Sequence, residues 1–297
     1  MKLFYCHIPE GNFGDDLNTY LWPKLLPGAF SGTLQYRPKV SPKIALDGPD
    51  PLFVGIGTLI HSELPAGVTK HVFGSGYGYG KLPAKDGSWH YHCVRGPLTA
   101  KALGLTADKA IADPAILTRL LHRAPVKKLH RVSFIPHWEM ALSGDWEKVC
   151  RLLGIHYIDP RWRPARVIGD IHATRTLITE ALHGAIVADA LRVPWMAVSS
   201  HHTILNFKWE DWCQSVDLTY APTSVPTFWK PRPGLPGKLI NGAKQLQAAA
   251  TLAYLMRAGH PHMSRDAVLE NRTERLLDTL AQFSRQNGLA FVPEPAL

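Results

Sequence analysis

Cysteine is scarce in this chain and scattered. The four residues in 297 are Cys6, Cys93, Cys150 and Cys213. They form no CxxC pair, so neither a zinc knuckle nor a disulfide framework is expected. Long apolar runs are also missing: none approaches the roughly 18 residues that a membrane span needs. The opening residues, MKLFYCHIPEGNFGDD, hold one Lys and an apolar stretch broken by His7, Pro9 and Glu10, so no secretory leader is expected. A reduced, cytoplasmic protein fits these shortages. Several catalytic signatures are absent as well. There is no HExxH, no GxSxG elbow and no GK[ST] phosphate loop. Fifteen histidines are present, but His90-Tyr-His92, His201-His202 and His260-Pro-His262 lack zinc-site spacing, so no dedicated metal site is expected.

Acidic residues are in deficit. Lys and Arg number 33 against 24 Asp and Glu, a net charge of +9. Much of the excess is local, with eleven Lys/Arg against five Asp/Glu in residues 119–175. Such a chain seeks nucleic acid, an anionic membrane surface or a multiply anionic small substrate. Nucleic acid ranks lowest, because no helix-turn-helix, zinc-finger or RNP pattern accompanies the charge.

The remaining composition, 45% hydrophobic and 19% charged, supports a real core. Strand-like runs at 2–8, 51–60, 70–80 and 90–96 alternate with helical stretches and glycine-rich turns, and 111–117 reads as a short strand or turn. A second alternation runs from about 131 to 198 and ends in the aromatic segment 206–214. Residues 221–237 are rich in proline, and 238–288 read as two amphipathic helices. Strand–helix alternation of this kind predicts parallel sheets. The expectation is an α/β protein of two Rossmann-like domains in tandem, with a C-terminal helical tail. The expected boundaries are 1–120, 121–220 and 221–297.

In doubly wound sheets, ligands bind beyond the carboxyl ends of the strands. Three segments fall there. Gly11-Asn12-Phe13-Gly14-Asp15-Asp16 follows the first strand; an Asp can cap the helix that follows, or accept a proton from a sugar hydroxyl. Glu180-Ala181-Leu182-His183-Gly184 precedes a helix, whose N-terminus favours an anion. His183 there is either a cap or an anion ligand and proton carrier. Arg95, before Gly96-Pro97, is either an anion clamp or a surface charge. Gly57 and Gly76, at strand ends, suit close approach of backbone and ligand.

In order, GNFGDDLN (11–18), GIGTLI (55–60), FGSGYGYG (73–80), VRGPLTAKAL (94–103), ADPAIL (112–117) and ITEALHGAIVADALRVPWMAV (178–198) resemble the polysaccharide pyruvyl transferase family. Ala181 before Leu-His-Gly and Ala112 before Asp-Pro-Ala depart from the common pattern by exchanges of small residues. The resemblance implies a GT-B-like architecture and phosphoenolpyruvate as donor, with no other cofactor. It also implies an acceptor sugar in a lipid-linked oligosaccharide, and formation of a cyclic pyruvate ketal with release of phosphate. It associates Arg95 and His183 with the donor. Asp15 or Asp16 is then the base or acceptor ligand, Glu180 the reserve base, and Asn12, Gly14, Gly57, Gly76, Leu182 and Gly184 line the substrates. The basic 119–175 region suits an anionic membrane, giving a cytoplasmic protein seated peripherally on the inner membrane. Two other classes compete: a nucleotide-sugar glycosyltransferase, and a non-catalytic anion- or glycan-binding protein.

Overall fold

The computed structural model describes residues 1–37, 48–143, 145–200, 205–226 and 234–295. In chain order the first elements are β1 (Lys2–Cys6), α1 (Phe13–Leu25), β2 (Gly32–Tyr36), β3 (Leu52–Val54), β4 (Lys70–Phe73), β5 (Trp89–Cys93) and α2 (Pro97–Leu103). Then come β6 (His130–Ile135), α3 (Trp138–Ser143), α4 (Trp146–Leu153), β7 (His156–Tyr157), α5 (Pro164–His172) and β8 (Thr174–Thr179). The last are α6 (Leu182–Ala190), β9 (Trp195–Ser199), α7 (Asn206–Ser215), β10 (Thr223–Ser224), α8 (Gly234–Ala258) and α9 (Asp266–Asn287). Residues 111–117 form no strand: Asp113 caps a 3-10 helix over Pro114–Leu120, its carboxylate accepting from Ala115 N at 3.0 Å.

Two parallel five-stranded sheets result, ordered β2-β1-β3-β4-β5 and β10-β9-β8-β6-β7. Numbered from its own first strand, the second sheet also reads 2-1-3-4-5. The fold is α/β with two Rossmann-like units. Their central strands are apolar on both faces, as covered parallel strands must be: β3 is buried throughout and β1 at its three middle residues. The edge strand β2, GTLQY, is half-exposed.

The chain divides differently from the expected three parts. One unit gathers 1–123, 206–219 and 264–297; the other gathers 124–205 and 220–263. The segment 206–214 therefore belongs with the first sheet, because Trp209 and Trp212 are fully buried and Asp211 bonds to that unit. Nor do the last two helices form a tail of their own. Leu252 and Leu255 of α8 join the core of the second unit with Phe134 and Trp146. Phe283 of α9 packs on Phe73 at 4.9 Å between ring centroids, within the first.

Beside Phe283 lies a half-buried imidazole pair. His71 Nδ1 and His92 Nε2 are 3.1 Å apart, and His92 stacks on Phe73 at 4.5 Å. Burial, then repulsion from a neighbouring histidine, pushes each down to about 4. An unfolded histidine titrates near 6.5, so the unfolded chain takes up these protons first as the solution is acidified. Stability is thus complete above about pH 6.5 and lost as pH falls towards 4. His92→Phe should flatten this loss, measured as the difference in urea midpoint between pH 7 and pH 5. An undiminished difference would place the acid sensitivity elsewhere.

Candidate active site

In a sheet of order 2-1-3-4-5, the chain leaves the adjacent strands 1 and 3 in opposite directions, which opens a crevice at their carboxyl ends. In the first unit this point lies between β1 and β3. Asn12, Gly14, Asp15 and Asp16 follow β1, and Gly57 follows β3. Asn18, fully buried, fixes the two loops: its amide donates to the Asp15 and Ile56 carbonyls at 2.9 Å, and its oxygen accepts from Ile56 N at 2.9 Å. Asp15 and Asp16 occupy the first turn of α1, where the helix dipole favours carboxylates. Asn12 Nδ2 donates to Asp15 Oδ2 at 2.7 Å. Gly14 is buried in the same turn. Gly57 has φ +123°, a conformation that side chains resist, and a Cβ there would lie 3.6 Å from Asp15 Oδ1.

Burial raises the Asp16 carboxyl above its usual value, against the lowering effects of the Asn12 backbone and of His7. The same burial, then the charge of Asp15, raises the Cys6 thiol, which leaves it inert. His7 is a residue the sequence pattern passed over. A polar side chain immediately after a buried strand was the available signal.

Arg95 is not a surface charge. It is 1% exposed, and its Nε donates to Asp211 Oδ2 at 3.1 Å. Its terminal nitrogens donate to Thr58 Oγ1 at 3.0 Å and to the Tyr77 carbonyl at 3.1 Å. A guanidinium has five N–H groups, and these bonds use three. Gly76 makes room for it, since a Cβ at that position would fall 2.1 Å from Arg95 Cζ. Gly76 is thus the bed of the guanidinium. Asp211 also accepts from Thr99 N at 2.9 Å and Thr99 Oγ1 at 2.6 Å, so a carboxylate on α7 caps α2.

The second unit repeats the geometry between β6 and β8. Thr179 Oγ1 accepts from Ala181 N at 3.0 Å and shapes the turn into α6. Leu182 points into the core, while His183, second in the helix, is half-buried. Gly184 is a close approach, with a Cβ there only 2.6 Å from Thr179 Oγ1. Glu180 is buried, and both its oxygens are engaged: Ser200 N donates at 2.8 Å and His137 N at 3.2 Å. Its carboxylate bridges the carboxyl ends of β8, β9 and β6. Desolvation raises its pKa, offset in part by those hydrogen bonds. His137 and Ser200 carry no motif and were not singled out.

The histidine pairs flagged in the sequence assemble no ligand set among the described residues; His201 and His202 lie outside them. Instead His130, His156 and Asp170 bring one ligand atom each to within 4.8 Å of one another. The two imidazoles stack face to face, with centroids 3.6 Å apart and planes 2° from parallel. In that pose their in-plane lone pairs do not converge on one ion.

Two doubly wound units, each with polar groups gathered at its switch point, define an α/β protein built to bind ligands at strand ends. Residues 64–202 match the model of a family described as polysaccharide pyruvyl transferase. The chain is also 36% identical to the succinoglycan biosynthesis protein ExoV of Rhizobium meliloti (strain 1021), over 94% of this chain and 98% of that protein. It belongs to the polysaccharide pyruvyl transferase family.

Removing one partner of a buried ion pair leaves the other charge uncompensated, at a cost of about 3–5 kcal/mol. Asp211→Ala should lower the unfolding free energy by that order and also uncap α2. Denaturant titration of the purified variant checks this, and a loss below about 1 kcal/mol would show that the pair behaves as a surface contact.

Proposed function

We propose that this protein transfers pyruvate from phosphoenolpyruvate onto two hydroxyls of one sugar in an exopolysaccharide repeat unit, closing a cyclic ketal and releasing phosphate. The observation that carries the reading is the match with ExoV over nearly the whole of both chains. In the proposed reaction the donor's methylene carbon takes a proton as one hydroxyl oxygen bonds to C2. The C2–O bond to phosphate then breaks, and the second hydroxyl closes the ring. One hydroxyl proton is balanced by the new methyl group, the other by the phosphate. No cofactor beyond the donor is needed.

The residues suit this chemistry. Phosphoenolpyruvate bears a carboxylate and a phosphate, so charge must be met at both ends. In the second unit, His183 and the N-terminal end of α6 suit an anion such as the phosphate. In the first unit, Arg95, held by Asp211, is the candidate anion ligand. Asp16 is the acceptor-hydroxyl base, with Asp15 beside it as an acceptor ligand. Glu180 acts through others: with both oxygens on backbone N–H groups, it positions the His137 and Ser200 loops. The acceptor sugar is carried on a lipid, and the protein works at the cytoplasmic face of an anionic membrane. A nucleotide-sugar transferase would be stabilised by a nucleoside diphosphate sugar rather than by phosphoenolpyruvate, and a binding protein would release no phosphate.

His183→Asn keeps a polar side chain at the helix start but carries no proton near neutral pH. With phosphate release as the assay, kcat should fall by about 10²–10⁴, while Tm moves only a few degrees because a helix-start change costs about 1 kcal/mol. Turnover within a few-fold of the unmodified protein would end the assignment.

The raised Asp16 carboxyl sets a second expectation. A base must be ionised, so the acid limb of kcat/KM should lie above the ordinary Asp value of about 3.9 and disappear in Asp16→Asn along with most of the rate. An acid limb retained in Asp16→Asn would assign it to another group.

A further inference from the structure

Helix α8 is apolar on two faces. Gly237, Ala248, Leu252 and Leu255 are buried in the second unit. On the other side Leu235, Leu239 and Leu246 are 77%, 73% and 73% exposed. At 3.6 residues per turn, these three leucines lie within about 40° of one another around the axis. Ala243, Ala250 and Tyr254 extend the stripe to about 100°, and the exposed Ile240 bounds it near 140°. A stripe of this length on an otherwise soluble unit calls for an occupant.

Charge identifies the occupant. From Leu218 through Arg265 there is no Asp or Glu, and six Lys or Arg. Around the helix, Lys244 lies about 40° beyond one edge of the stripe and Lys238 about 60° beyond the other. Towards the end of α8 a groove of about 210 Å³ opens, lined by Arg131, Leu153, Ala253, Met256 and Arg257. Ala253 and Arg257 lie on the line of the leucines, so the groove continues the stripe. Two guanidiniums beside an apolar floor match a phosphate with an acyl chain next to it. Lysines flanking a leucine face are the pattern of a helix lying in a bilayer interface. A second copy of this helix is the poorer partner, because the lysines that edge the two stripes would repel, even with Asp145 bonded to Gln245 near one edge.

We propose that this face of α8 seats the protein on an anionic lipid bilayer. Leu235, Leu239 and Leu246 enter the boundary between headgroups and acyl chains, and Lys238, Lys244, Arg131 and Arg257 meet lipid phosphates. The basic 119–175 region contributes through Arg131, but the docking element is α8. The proposal deepens the reading of a membrane-borne acceptor and rests on it for its purpose, while vesicle binding itself is independent of pyruvyl transfer.

The test is sedimentation of the full chain with vesicles of phosphatidylcholine alone or with about one third phosphatidylglycerol, near 0.15 M salt. The expected result is binding to the anionic vesicles only. It should weaken more than about tenfold in L235S/L239S/L246S, and also in K238E/K244E, with circular dichroism unchanged. Leu82→Ser, an exposed leucine of the other unit, should bind like the unmodified chain. Absence of binding to anionic vesicles, or equal binding by the triple variant, would overturn the proposal. So would a dimer in light scattering that the triple variant dissolves. Phosphate release on a water-soluble acceptor fragment separates the two readings. L235S/L239S/L246S should retain it, and its absence from the unmodified chain would sink pyruvyl transfer while leaving the vesicle result standing.

Discussion

One carboxylate organises the first unit. Asp211 takes the Arg95 guanidinium, caps α2 through Thr99, and so binds a segment from between β9 and β10 to the end of β5. Thr99 in turn accepts from Tyr77 N at 3.1 Å, which carries the constraint to the loop after β4. A buried charge pair contributes little net stability when both partners are well bonded, yet losing either is costly. Its effect here is to fix one arrangement of three strand ends. Gly76 completes it, because any side chain there would occupy the space of the guanidinium.

The second unit solves the same problem differently. Glu180 spans the ends of three strands through backbone N–H groups and needs no cationic partner. Desolvation raises its pKa, and hydrogen bonds from the Ser200 side chain and from the His137 and Ser200 backbones pull it back down. In both units a buried carboxylate next to the switch point holds the loops, while Asp16 and His183 beside them are half-buried. The groups that fix the loops and the half-buried groups beside them are thus different residues, a division that a pre-organised site requires.

The parts of this design legible in the sequence are those with local causes. β1, β3 and β9 are largely apolar runs, as buried parallel strands must be. Asp15, Asp16, Arg95, Glu180 and His183 stand at strand ends, and that placement can be read from spacing. The edge strand β2 escaped notice because Leu34 is its one strongly apolar inward residue. Asp211 escaped for a different reason. Glu-Asp-Trp looks like an exposed helical turn, and only tertiary packing buries Asp211 between Trp209 and Trp212. The division of units was hidden in the same way, since no local pattern says that α7 and α9 return to the first sheet.

That return has a consequence for biosynthesis. Domains of a nascent chain generally fold in the order they emerge. Here the sheet that emerges first is finished last. Arg95 must wait 116 residues for Asp211, and Phe73 some two hundred for Phe283. Meanwhile the second unit is complete once α8 has been made. On the ribosome the inserted unit can therefore mature inside an unfinished host, and a stop codon gained before Phe283 would strip a ring from the core of the N-terminal sheet.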